Sequence, residues 1–113
     1  MAYKKYEYFK LNFHYETATE FIEKSSGYKF IYEGITFYIE KYDSESIPTY
    51  TATEEKSGLK IFSGYRKLKY LKEALIDNID KIKSSLERDK TKEYIELMEK
   101  LKSEYKEDTE KTA

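Results

Sequence analysis

The spacing of apolar and polar residues divides the chain into a first part with a two-residue period and a last part with a helical period. Phe9, Leu11, Phe13 and Tyr15 alternate with Lys10, Asn12 and His14, so residues 3–15 read as a strand. Tyr6 and Tyr8 lie on the other parity, and a bend near Tyr8-Phe9 would account for the change of face. Thr17-Ala18-Thr19-Glu20 then has the form of a capping box, with Ala18, Phe21 and Ile22 on one helical face and Gly27 placed to end the helix. This predicts a short helix over about 18–25.

The strongest local pattern follows. Tyr28 to Tyr32 and Ile35 to Ile39 flank Glu33-Gly34, the signature of a hairpin with a two-residue turn. That turn pairs Tyr32 with Ile35, Phe30 with Phe37 and Tyr28 with Ile39, and all six side chains then share one face. Lys29, Ile31, Thr36 and Tyr38 fall on the other. Asp43 to Pro48 reads as a polar loop, Tyr50 to Thr53 and Leu59 to Phe62 as strands, and Lys56-Ser57-Gly58 as the turn between them.

From Arg66 the period changes. Leu68, Leu71, Leu75, Ile79, Ile82 and Leu86 recur every three or four residues, and Tyr94, Leu97, Met98, Leu101 and Tyr105 continue the stripe. Two readings fit the polar stretch Glu87 to Thr91: one continuous helix, or a helical hairpin whose second arm is capped by Asp89. The second is favoured, because a single long helix buries one stripe poorly in a small monomer. The expectation is an α+β domain over residues 1–106, with a sheet region at 3–64 and a helical region at 66–106. Its antiparallel sheet has four or five strands, with a short N-terminal helix and a long C-terminal helix or helical hairpin. Residues 107–113 read as a frayed polar tail.

Composition narrows the chemistry. With 113 residues there is room for one modest core. Charged residues make up 38%, but 17% are aromatic, including thirteen Tyr, which argues for a folded chain. The absence of Cys excludes disulfides and thiolate sites. No leader-like or membrane-spanning run is present, which makes the cytoplasm the expected location. The net charge of −1 does not suit a general nucleic-acid binder, although residues 66–83 carry six basic against three acidic side chains.

No group of residues has the makings of a catalytic or cofactor site. His14 is the one histidine; it sits on the polar parity of a strand, and no Gly-x-Ser-x-Gly elbow accompanies it. Asp77 with Asp80, and Asp43 with Glu45, lack the spacing of a metal site and read as solvated charges. Ser63-Gly64-Tyr65-Arg66 has a single glycine and reads as a strand-to-helix turn rather than a phosphate cradle. No enzyme, cofactor or metal is expected.

The surplus of Tyr stands out. Tyr6, Tyr8, Tyr38 and Tyr42 would face outward if helices cover one side of the sheet, and Tyr65, Arg66, Lys67 and Lys69 adjoin the start of the helical region. These eight form the candidate partner-binding set. Exposed tyrosines suit protein interfaces and base stacking, and an AT-rich coding genome also enriches Tyr, Lys, Ile and Asn. The alternatives are a single-stranded nucleic-acid module using those tyrosines with the basic stretch Arg66 to Lys72, and a small-ligand binder holding a nucleotide between sheet and helix. The helical stripe could also pair with a second copy of the chain.

Phe37-Tyr38-Ile39-Glu40, Thr51-Ala52-Thr53, the run Ser57 to Gly64, and Lys72-Glu73-Ala74 together cover about a third of the chain. Their arrangement resembles that of small accessory proteins of phages and mobile elements from AT-rich bacteria, in which a strand hairpin with a Ser/Thr-Gly turn leads into a helix. The resemblance implies a protein that binds and blocks a host factor, including components of bacterial defence.

Overall fold

The computed structural model describes residues 4–44 and 47–112, with side chains described at 4–43 and 47–105. Five strands come first: β1 (Lys5–His14), β2 (Thr19–Tyr32), β3 (Ile35–Ser44), β4 (Ile47–Glu54) and β5 (Lys60–Tyr65). Three helices follow: α1 (Leu68–Asp77), α2 (Ile79–Leu86) and α3 (Asp89–Thr112). The strands form one antiparallel sheet in chain order, each pairing with the next.

The hairpin at residues 28–39 has the register read from the sequence, with Tyr28 opposite Ile39, Phe30 opposite Phe37 and Tyr32 opposite Ile35. Glu33 and Gly34 both have positive φ, 48° and 80°, as a type I′ turn requires. Phe37 and Ile39 are fully buried, each contributing about 1.5–3 kcal/mol by leaving water.

The short helix expected at 18–25 is not formed. Those residues belong to β2, which pairs with β1 without interruption from Lys5–Tyr28 to His14–Thr19. Residues 15–18 make the connecting turn, with the Ala18 N–H bonded to the His14 carbonyl at 2.8 Å and Ala18 at φ 55°. The capping-box pattern offers two local hydrogen bonds, whereas the ladder satisfies the backbone of ten residue pairs. Gly27 is not a helix end either. It lies mid-strand, where a Cβ would come within 2.6 Å of the Ile39 carbonyl oxygen. The bend expected at Tyr8-Phe9 is also absent: β1 keeps its alternation, so Tyr6, Tyr8, Lys10 and Asn12 share one face while Phe9, Leu11 and Phe13 share the other.

The helical region is broken twice. The break between Leu86 and Asp89 matches the favoured hairpin reading; Glu87 and Arg88 donate to Ser84 and Ser85, tightening the last turn of α2. A second break, at Asn78, leaves no trace in the apolar spacing. Asn78 departs from helical geometry at φ −109° and ψ 15°, and its side-chain amide bonds the Ala74 carbonyl at 2.8 Å. The backbone of α3 is helical through Thr112, and of the tail expected at 107–113, Ala113 lies outside the described residues.

All three helices pack on one face of the sheet. Leu71, Leu75, Ile79 and Ile82 join Ile35, Phe37, Ile39 and Ala52 in the core, so the first stripe is buried against the chain's own sheet. The ring of Tyr94 meets Phe13 edge-on at 6.2 Å and that of Tyr105 meets Phe9 at 5.2 Å, which lays α3 antiparallel along β1.

The sheet curls away from the helices. The Leu11 N–H, on the free edge of β1, donates to the Gly58 carbonyl in the β4–β5 turn at 2.9 Å. Gly58 has φ 68°, and a Cβ there would lie 2.6 Å from Met98 and 3.0 Å from the Leu11 nitrogen. Gly58→Ala should therefore lower the unfolding free energy by about 2–4 kcal/mol, combining backbone strain with overpacking. Gly34→Ala, in open space at φ 80°, should cost only about 1 kcal/mol. Chemical denaturation of the two variants checks the order.

Candidate functional site

The curl turns the face opposite the helices into a concave surface. Strand alternation and register place Tyr8, Lys10 and Asn12 of β1, Tyr38, Glu40 and Tyr42 of β3, and Thr49, Thr51 and Thr53 of β4 on that surface. Tyr8 spans it. Its ring stacks on Tyr38 with centroids 4.7 Å apart and planes within 5°. Its hydroxyl donates to Glu40 in a short hydrogen bond and pairs with Thr53, reaching from β1 across to β4.

Glu40 is the charge at the centre. Burial alone would raise its pKa, but hydrogen bonds from Ser25, Tyr8 and Tyr42 and the nearby Lys10 ammonium hold it below the usual carboxylate value. The Lys10 ammonium lies 3.3 Å from Glu40, 3.2 Å from Glu23 and 3.1 Å from the Tyr42 hydroxyl. Burial disfavours its charge, yet the bond to Tyr42 and the Glu40 carboxylate outweigh burial and raise its pKa. Burial, reinforced by the Glu40 carboxylate, pushes the Tyr8 hydroxyl well up. Burial and a 2.9 Å bond to Glu55 push Tyr38 up to about 12. No buried side-chain polar atom among the described residues lacks a partner.

Beside this network lies a cleft of about 560 Å³. Tyr42, Thr49, Thr51 and Thr53 form its floor, residues 10–13 of β1 one wall, and Leu59, Lys60, Ser63 and Gly64 the other. Phe13 is shared with an adjoining hollow lined by His14, Tyr15 and Thr17. The size falls within the range of about 300–1,000 Å³ common to ligand sites.

The eight residues singled out from the sequence do not come together. Tyr8 and Tyr38, expected to face outward, are 6% and 5% exposed and serve the interior. Helices on one side do not leave the other side open here, because the sheet curls over its own second face. Tyr42, 38% exposed, stands at the cleft. Tyr6 lies on the surface with Lys29 4.4 Å and Lys4 5.2 Å from its ring. Tyr65 is half-buried against the helix-side core, edge-on to Phe62. Arg66, Lys67 and Lys69 are exposed at the start of α1, with the Lys67 ammonium 5.8 Å from the ring of Tyr70.

His14 stacks on Phe21 at 4.2 Å, and among the described residues no three His, Cys, Asp or Glu side chains gather as a metal site. Asp43, Asp77 and Asp80 are exposed; Glu45 lies outside the described residues. The turn at Ser63-Gly64 still belongs to β5, three residues short of α1, so it does not open the helix.

Residues that the sequence reading passed over are Lys10, Glu40 and the threonines of β4. Two signals pointed to them: an acid directly after the apolar run Phe37-Tyr38-Ile39, and the alternation of Thr49, Thr51 and Thr53 with Tyr50 and Ala52.

Removing the Tyr8 hydroxyl takes a donor from a buried carboxylate, so Tyr8→Phe should destabilise by about 1–3 kcal/mol. Tyr42→Phe, at the more open position, should cost under about 1 kcal/mol. The Glu40 contribution is complete above the ordinary carboxylate value of 4.5 and is lost as pH falls through its lower folded value. The stability gap between the wild type and Glu40→Gln should therefore narrow in acid; a gap independent of pH contradicts the assignment. Tyr8, Tyr38 and Lys10 have raised values, so their contributions are complete below the ordinary values of 10.0 and 10.5. Those contributions are lost as pH rises further, which equilibrium unfolding at alkaline pH will show.

No family model, curated protein or solved structure matches the chain.

Proposed function

We propose that this chain is a non-enzymatic protein-binding protein that acts by occupying a partner's surface. The observation that carries the reading is a set of exposed aromatic side chains around the open end of the cleft, drawn from both faces of the sheet. Phe13 and Tyr42 flank the cleft, and Tyr15 beside them is 98% exposed. Phe13 and Tyr42 leave about two-fifths of their surface, and Tyr15 nearly all of it, in water, and such rings are the side chains that dominate protein interfaces. The resemblance of residues 37–75 to phage and mobile-element accessory proteins extends the proposal to an inhibitor of a host factor, with bacterial defence components as candidate targets.

A nucleic-acid reading rests on a different surface. Arg66, Lys67 and Lys69 are exposed at the start of α1 beside the exposed ring of Tyr70. Contacts there would weaken steeply with salt.

The test is capture of partners from lysate of the native host by tagged protein, at two salt concentrations, with and without nuclease. The expected result is a protein band that survives both treatments and is reduced about tenfold by Tyr15→Ser, a substitution that should move stability by less than about 0.5 kcal/mol. Loss of all partners on nuclease or salt treatment, together with sensitivity to Lys67→Glu, would favour nucleic acid instead.

A further inference from the structure

The partner-binding reading can be carried to a site and a class of partner. β1 and β5 are the two ends of the meander, and each has one edge without a neighbouring strand. The curl brings the β1 edge against the turn that leads into β5, through the bond from the Leu11 N–H to the Gly58 carbonyl. Beyond that point the two edges line opposite walls of the same cleft, Leu11 to Phe13 on one side and Lys60 to Gly64 on the other.

Backbone geometry then says what the β1 wall offers. In an antiparallel strand, both polar groups of a residue point to the same side, and the side alternates. Because Leu11 directs its N–H away from β2, Phe13, two residues on, directs its N–H and C=O the same way, into the cleft. Among the described residues no strand pairs with β1 on this edge. As odd-numbered strands of a meander, β1 and β5 run in the same direction. One added strand would therefore be antiparallel to both, the relation shared by every other neighbouring pair in the sheet.

The lining indicates the side chains that would fit. The floor is hydroxyl-rich, with Thr49, Thr51, Thr53 and Tyr42, and Lys60 is exposed on the β5 wall. Among the described residues no carboxylate lines the cleft. Glu40 and Glu23, beside the cleft residue Lys10, are engaged with it, and Glu16 lies in the adjoining hollow.

We propose that the cleft between β1 and β5 takes an extended, acidic segment of a protein partner as a sixth antiparallel strand. Main-chain hydrogen bonds to the β1 edge would supply affinity, and the hydroxyls and Lys60 the preference for acidic side chains. The proposal rests on the protein-binding reading, but it can fail while that reading stands.

The experiment selects binders to the purified full chain from a library of random peptides roughly ten residues long, the upper length of an ordinary strand. It then measures their affinities for three variants. Phe13→Pro removes the outward N–H while leaving the β2 ladder intact, as proline does on an edge strand. Phe13→Ala removes the same ring but keeps the N–H. Lys60→Glu reverses the charge on the opposite wall. The expected result is acidic peptides that lose roughly tenfold more affinity with Phe13→Pro than with Phe13→Ala. They should also weaken with Lys60→Glu and slow hydrogen exchange at the Phe13 amide. If Phe13→Pro fails to fold, that exchange protection on the wild type decides the matter. Selection of no peptide, or of peptides that leave the Phe13 amide unprotected and tolerate both Phe13→Pro and Lys60→Glu, overturns the strand-addition proposal. Capture of a protein from host lysate that is equally indifferent to these variants overturns it too, and leaves the protein-binding reading in place.

Discussion

A carboxylate enclosed by a sheet needs its charge answered within the sheet, and Glu40 is answered by residues from β1, β2 and β3. Ser25, Tyr8, Tyr42 and Lys10 converge on it, and Tyr8 extends the network to Thr53 on β4. A flat sheet could not satisfy this arrangement, because β1 and β4 would lie about three strand spacings, roughly 14 Å, apart. The curl and the network therefore require each other. Leaving a buried carboxylate without donors is costly, which makes the curled form far more favourable than an open one.

The curl settles the rest of the architecture. One face becomes convex and takes all three helices, α1 and α2 burying their stripe against Phe37, Ile39 and Ala52 and α3 lying against Phe9 and Phe13. The other becomes a concave surface that is polar at its centre and open at one end. The free edges of β1 and β5 approach each other only because the sheet bends, and β1 meets the β4–β5 turn where Gly58 leaves room for both Leu11 and Met98. The open end, with its exposed rings and unpaired edge, is a consequence of the same bend stopping short of closure. An unprotected strand edge is normally a liability in a small protein, so its placement inside a cleft, away from free edge-to-edge pairing, suits a site that admits one strand.

Two kinds of tyrosine coexist in the chain and cannot be told apart by counting. Tyr8 and Tyr38 use their rings to fill the concave interior and their hydroxyls to satisfy Glu40 and Glu55. Tyr6, Tyr15 and Tyr70 keep their rings at the surface. An AT-rich coding bias could supply Tyr to either kind of place. Only the first kind is explained by the fold, and of the second it is Tyr15, beside Phe13 and Tyr42 at the cleft, that enters the functional proposal.

How much was legible depends on how local the determining forces are. The hairpin at 28–39, its register and its turn were readable because two adjacent residues, Glu33 and Gly34, and a two-residue period suffice to specify them. The amphipathic stripe from Leu68 and its break before Asp89 were readable for the same reason. Residues 18–25 were read as a helix because capping chemistry is local, while the ladder with β1 that overrides it pairs residues up to 23 positions apart. The break at Asn78 hides in an apolar stripe that keeps its spacing across it. Glu40 was visible as an acid directly after an apolar run, but its partners come from residues 8, 10, 25 and 42, and nothing in their spacing links them. The sequence by itself determined the elements and the single core, through periodicity and turn chemistry. Only the tertiary structure decided that the second face is an interior and that two distant edges share a cleft, because both depend on the curvature of the whole sheet.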